Sequence, residues 1–159
     1  MNTLQQILQH LTIQKQTVTC AESCTGGLLA GELTRLSGSS AIFSYGFVTY
    51  SNLAKQELLG VSETTLQQFG AVSWETVKEM ANGALQKANA DYALAISGIA
   101  GPTGGTPNKP VGTVCFGLAL KNKTITQIKH FSGSRDEIRQ QAVEYALQFL
   151  FENLYKTIS

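Results

Sequence analysis

Histidine is nearly missing from this chain of 159 residues: His10 and His130 are the only two. His10 lies in an amphipathic N-terminal stretch and His130 near the end of an outer strand. Neither has an acidic neighbour at a telling spacing, which argues against a histidine-based triad. Cysteine is sparse as well. The three present are an odd number set in apolar stretches, which fits a reducing compartment better than a disulfide framework. Cys20 and Cys24 lack the second pair or nearby histidine that a four-ligand metal site requires, so they read as small side chains packed under a helix and no metal is expected. Charged residues make up only 14%, the net charge is +1 and no lysine–arginine cluster exists, which speaks against nucleic acid as the main partner. No apolar run is long enough to span a bilayer. The segment from Met1 to His10 lacks the basic start and long apolar core of a secretory signal. A cytoplasmic protein without a membrane partner is the expectation.

Nucleotide and hydrolase signatures are missing too. Gly98, Gly101, Gly104 and Gly105 do not form G-x-G-x-x-G, and no G-x-x-x-x-G-K-[ST] or G-x-S-x-G occurs. These gaps exclude the Rossmann fingerprint, the P-loop and the nucleophile elbow.

What is present is 43% hydrophobic residues without compositional bias, enough for one domain over residues 1–159. The stretch from Thr17 to Ala30 organises the rest. Its β-branched first half predicts a strand over Thr17–Ala21. Its second half predicts a helix over Thr25–Leu36, with Thr25 or Ser23 as N-cap. Leu4, Ile7, Leu8 and Leu11 recur at helical spacing before it. After it come a strand over Phe43–Tyr50 and a short helix capped by Asn52 or Ser51 and stopped by Gly60. A further short helical segment opens near Ser62. A longer helix runs from Ser73 to about Lys87, with Val77, Met80, Ala81 and Leu85 inward. Tyr92–Ser97 reads as a strand buried on both faces. It empties into an irregular stretch, Gly98–Pro110, long enough to be functional. Val111–Leu120 and Thr124–Phe131 read as a hairpin, and a helix from Arg135 to about Tyr155 closes the chain. This order implies an α/β sandwich on a mixed sheet. In such sheets ligands gather beyond the carboxyl ends of the parallel strands, here the Ser23–Gly27 turn and the Gly98–Pro110 loop.

With histidine scarce, a hydroxyl nucleophile needs another base, and a lysine of depressed pKa can serve. Ser23 stands at the mouth of the glycine turn. Lys55 is set among Leu53, Ala54, Leu58 and Leu59, where burial disfavours the ammonium; most of the other lysines, a set that includes Lys156, sit in solvated contexts. From spacing alone Ser23 reads first as an N-cap and Lys55 first as a surface helix lysine, and Glu22 is either a general base or a carboxylate complementing a helix dipole. The residues by themselves give a small-molecule pocket for an anionic ligand.

Four segments together resemble one family: Thr19-Cys20-Ala21-Glu22-Ser23-Cys24-Thr25-Gly26-Gly27, Gly46-Phe47-Val48-Thr49-Tyr50-Ser51-Asn52 with Ala54-Lys55, Ser97-Gly98-Ile99-Ala100-Gly101-Pro102 and Lys109-Pro110-Val111-Gly112-Thr113-Val114. This pattern is similar to the CinA C-terminal domain family, whose stand-alone members are nicotinamide-nucleotide amidohydrolases. The resemblance implies a three-layer α/β/α sandwich on a mixed, mostly parallel sheet. It implies hydrolysis of nicotinamide mononucleotide to nicotinate mononucleotide and ammonia, a step of pyridine-nucleotide (NAD) salvage, by a serine–lysine mechanism without metal or cofactor. Carried over by motif, Ser23 is the nucleophile and Lys55 the base, with Tyr50 and Ser97 as relays or orienters. Substrate would be held by Cys24, Thr25, Gly26 and Gly27, by Ser51 and Asn52, by Ser97, Gly98, Ile99, Ala100 and Gly101, and by Arg139 or Arg135 on its phosphate. The alternative is a nucleotide-binding or regulatory module without turnover. A homo-oligomer is a further expectation, since the final helix carries Phe149-Leu150-Phe151, Leu154 and Tyr155 and offers an apolar cover for a partner.

Overall fold

The computed structural model of the chain describes residues 1–155, so Lys156 lies outside the described residues. Helix α1 (Thr3–Gln14) opens on a capping box: the Asn2 side chain accepts from Gln5 N–H, and Gln5 reaches back to Asn2 N–H, both at 2.9 Å. Then come β1 (Val18–Glu22), α2 (Leu28–Leu33), β2 (Gly46–Val48), α3 (Asn52–Leu59), α4 (Glu63–Phe69) and α5 (Trp74–Ala88). Strand β3 (Tyr92–Gly98), the hairpin β4 (Thr113–Leu120) and β5 (Lys123–His130), and α6 (Arg135–Leu154) complete the chain.

The strands lie in the order β2-β1-β3-β4-β5. Strand β1 is parallel to both its neighbours, whereas β3–β4 and β4–β5 are antiparallel. Only β4 therefore runs against the others, and the sheet is mixed and mostly parallel, as expected. Side chains alternate across it in size. Val18, Cys20, Leu94, Ile96, Val114, Phe116 and Leu118 face the cluster that includes the buried residues of α1, α2 and α6. Ala21, Ala93, Ala95, Cys115 and Ala119 face the one that includes α3, α4 and α5. The result is three layers, with the thin face under α5. There Gly117 is required, because a Cβ would stand 2.6 Å from the Val77 carbonyl.

Close approach recurs where α5 meets the end of α3. A Cβ on Gly83 would lie 1.9 Å from the Leu59 carbonyl oxygen, a backbone atom that cannot rotate away. Alanine normally gains about 1 kcal/mol over glycine in a helix, but here overpacking outweighs that gain. Gly83→Ala is expected to destabilise the protein by about 1–3 kcal/mol, read as a lower urea midpoint at unchanged slope. An unchanged or higher midpoint would show that α3 and α5 are not packed this tightly.

Several expected boundaries move. Helix α2 begins at Leu28 rather than Thr25, and its N-cap is Gly27 at φ +109° rather than Thr25 or Ser23. The reason is that the Glu22 carboxylate, not a hydroxyl, receives its first N–H groups. It also ends at Leu33, short of Leu36, where the Thr34 hydroxyl turns back onto the Ala30 carbonyl at 2.8 Å. Strand β2 is Gly46–Val48 alone, because β1 pairs with it only over Cys20–Glu22 and the Tyr45 carbonyl accepts from the Thr19 hydroxyl. In α6, Phe149, Leu150 and Leu154 are buried in the chain's own core, while Tyr155 is half exposed against the His10 ring.

Candidate active site

Three parallel strands end side by side, and the candidate residues follow those ends. Strand β1 delivers Ser23, whose N–H continues the ladder to the Ile96 carbonyl at 2.9 Å. Glu22, fully buried, fixes the turn beyond it. Its carboxylate accepts from the Thr25 hydroxyl at 2.6 Å and from the N–H groups of Leu29 and Ala30 at 2.9 and 3.0 Å. A carboxylate at a helix N-terminus is favoured by the helix dipole and satisfies otherwise open donors. Glu22 therefore points into the α2 layer, while Ser23, one residue on, points to the opposite sheet face.

Lys55 comes from α3. Ser51 caps this helix by accepting from Ala54 N–H at 3.0 Å, which sets the first turn so that Lys55 points back beneath the sheet ends. It is 1% exposed. Its Nζ lies 2.9 Å from Ser23 Oγ, 2.9 Å from the Thr49 carbonyl oxygen and 3.4 Å from that of Tyr50. Burial lowers the Lys55 pKa to about 8, because removing the ammonium from water disfavours the charged form. The two carbonyls can only accept. When Lys55 is the free amine, its two N–H groups serve them and its lone pair is left facing the serine hydroxyl. Beside it, burial pushes the Cys24 thiol up to about 11, which keeps that sulfur protonated and a poor competitor nucleophile.

The remaining expected residues fall into two groups. Close to Ser23 are Cys24, Thr25, Gly26 and Gly27 in its own turn, and Ser97 and Gly98 at the end of β3, with Ile99, Ala100 and Gly101 continuing from there. Ser51 and Asn52 lie in the exposed first turn of α3. Tyr50 contributes its carbonyl to the Ser23–Lys55 pair, whereas its exposed ring turns outward and its hydroxyl accepts from Arg135 at 3.0 Å. The two arginines brace loops. Arg139 donates to the carbonyls of Cys24 and Thr25 at 3.0 and 3.4 Å, and Arg135 to that of Gly101 at 2.8 Å. Gly26, at φ +56°, makes room for this: a Cβ there would meet Arg139 Nη2 at 3.2 Å. Sequence reasoning missed the Thr49 carbonyl, since a backbone acceptor carries no residue signature. It also passed over Lys109, which ties its loop to the Phe69 carbonyl at 2.7 Å. Among the described residues no group of three or more histidine, cysteine, aspartate or glutamate side chains is placed to hold a metal ion, and no helix is long and apolar enough to cross a membrane.

The family model of the CinA C-terminal domain matches residues 1–154. The chain belongs to the CinA C-terminal domain family. It is 57% identical over 140 residues to the nicotinamide-nucleotide amidohydrolase PncC of Enterobacter agglomerans, covering 87% of this chain and 85% of that protein. Its identity to the protein of the same name from Escherichia coli K12 is 56% over 149 residues, covering 93% and 90%. Among solved structures, the competence/damage-inducible protein CihA of Agrobacterium tumefaciens superposes with a TM-score of 0.91 at 44% identity, covering 94% of this chain and 92% of that one. The motifs quoted for the CinA family thus lie on its fold, on a three-layer α/β sandwich.

Proposed function

We propose that this chain, as one amidohydrolase domain, hydrolyses the carboxamide of nicotinamide mononucleotide to nicotinate mononucleotide and ammonia in pyridine-nucleotide salvage. The observation that carries this reading is the buried Lys55 Nζ at 2.9 Å from Ser23 Oγ. The names of the relatives supply the substrate. Free-base Lys55 takes the hydroxyl proton as Ser23 Oγ bonds to the carboxamide carbon, and the carbonyl oxygen becomes an oxyanion. The N–H groups of Cys24 and Thr25, which donate to no oxygen among the described residues, are open donors for it in the turn that carries Ser23. The C–N bond then breaks, and the Lys55 ammonium gives its proton to the departing amide nitrogen, which leaves as ammonia. Water attacks the acyl-serine while Lys55 takes its proton. Collapse releases nicotinate mononucleotide and returns a proton to Ser23.

The test is a coupled ammonia assay on nicotinamide mononucleotide with product identified by mass. Stoichiometric ammonia and nicotinate mononucleotide are expected, undiminished by a chelator. Tight binding without ammonia would instead favour a nucleotide-binding module, and release of inorganic phosphate would point to ester hydrolysis.

A further inference from the structure

On the sheet face that carries Ser23, a cleft of about 330 Å³ opens over β4 and β5, lined by Phe69, Trp74, Glu75, Lys109, Cys115 and His130 among others. Register fixes its place. Ser23 neighbours Ser97 across β1–β3, Ser97 pairs with Cys115 on β4, and Cys115 pairs with Ile128 on β5. The cleft floor at Cys115 is thus two strand spacings from Ser23, about 10 Å, which is the scale of a mononucleotide. The geometry points to this cleft as the seat of the phosphorylated ribose end of the nucleotide, with Lys109 and His130 receiving the phosphate. The identity of the ligand rests on the amidohydrolase reading above.

Arg135 and Arg139 belong to α6, on the other face of the sheet from Ser23, and brace the loops there by donating to Gly101, Tyr50, Cys24 and Thr25. Among the described residues Lys109 has a single acceptor, the Phe69 carbonyl, which leaves two of its three N–H groups for a ligand. The Thr113 hydroxyl gives its hydrogen to the Pro110 carbonyl at 2.7 Å, so at 3.3 Å it can only accept from His130 Nδ1. That leaves His130 Nε2 available to a ligand. Glu75 is the one carboxylate of the lining. It is the one group of the lining that repels a phosphate. Trp74 and Phe69, both partly exposed, give the sugar apolar walls.

Trp74 is the only tryptophan of the chain, so its emission reports on the cleft whether or not turnover occurs. In the Ser23→Ala protein, nicotinamide mononucleotide and the unphosphorylated riboside are titrated against that emission. The nucleotide is expected to change the Trp74 signal and to bind more tightly than the riboside. Lys109→Gln keeps a donor for Phe69 and removes the charge. Combined with His130→Ala it is expected to weaken the nucleotide by about tenfold or more while leaving the riboside within about twofold, as for lost hydrogen bonds to a charged group. Each single change gives the same reading in part if the double variant fails to fold. Equal weakening of both ligands, an undiminished phosphate advantage, or binding that leaves Trp74 unmoved would overturn the assignment. Ammonia release by the unaltered protein is scored separately: its absence together with an intact phosphate advantage removes the reaction and upholds the cleft.

Discussion

Ser23→Ala is expected to lower the rate of ammonia release by about 10⁴-fold or more, the scale reached when the hydroxyl of a nucleophile–base pair is deleted. No other group can take its place. The Cys24 thiol is held protonated by burial, and Glu22 has its oxygens engaged by α2 on the other face of the sheet. Substrate affinity is expected to change little, because the hydroxyl is small and its neighbours are backbone carbonyls and Lys55. The melting temperature should likewise stay close to that of the unaltered protein. Steady-state kinetics on the purified variant, with a binding titration beside it, check both halves. Turnover within tenfold of the unaltered protein would mean that Ser23 is not the attacking group.

Lys55→Met carries the second large effect, a loss of about 10²–10⁴-fold for removal of a general base. Its signature is in the pH profile. The free amine is the active form, so kcat/KM of the unaltered protein should rise tenfold per pH unit below about 8 and level off above it. The variant's residual activity should lack that limb. Stability gives an independent check. The folded-state pKa is depressed from 10.5 to about 8, so between those values the unfolded chain holds more protons and stability gains with rising pH from this group. The buried thiols Cys24 and Cys115, raised from 9.0 to about 11, act in the opposite sense above pH 9. The clean window is therefore pH 8 to 9, where the unaltered protein should gain about 1 kcal/mol of stability relative to Lys55→Met. A flat difference there, or an unaltered pH–rate limb in the variant, would place the titrating group elsewhere.

Most of the fold was legible because it is written in local periodicity and turn chemistry. The apolar run Tyr-Ala-Leu-Ala-Ile-Ser predicts a strand buried on both faces, and β3 is that strand. Gly60 stops α3 in the left-handed region, and Ser73 caps α5 by accepting from Thr76 N–H. The start of α2 was not legible. A carboxylate seven and eight residues upstream of the N–H groups it caps leaves no short-range signature, so Thr25 and Ser23 looked like the caps. The length of β2 was misjudged for a similar reason. Aromatic and β-branched residues over Phe43–Tyr50 suit a strand, but how far a strand extends depends on the partner beside it.

The sequence by itself determined the elements, the glycine turn after the first strand and the motifs that place the chain in its family. It also offered Ser23 and Lys55 as a nucleophile and base, though spacing left each with an ordinary structural role. Only the tertiary structure brings the two side chains together. Parallel pairing of β1 with β2 brings together two residues 32 positions apart, and α3 packs so that one amine loses its water and faces a hydroxyl. The same holds for the cleft at Lys109, Trp74 and His130, whose members share no segment and meet only through sheet register. Desolvation and long-range contact are properties of the packed layers, and no short window of residues encodes them.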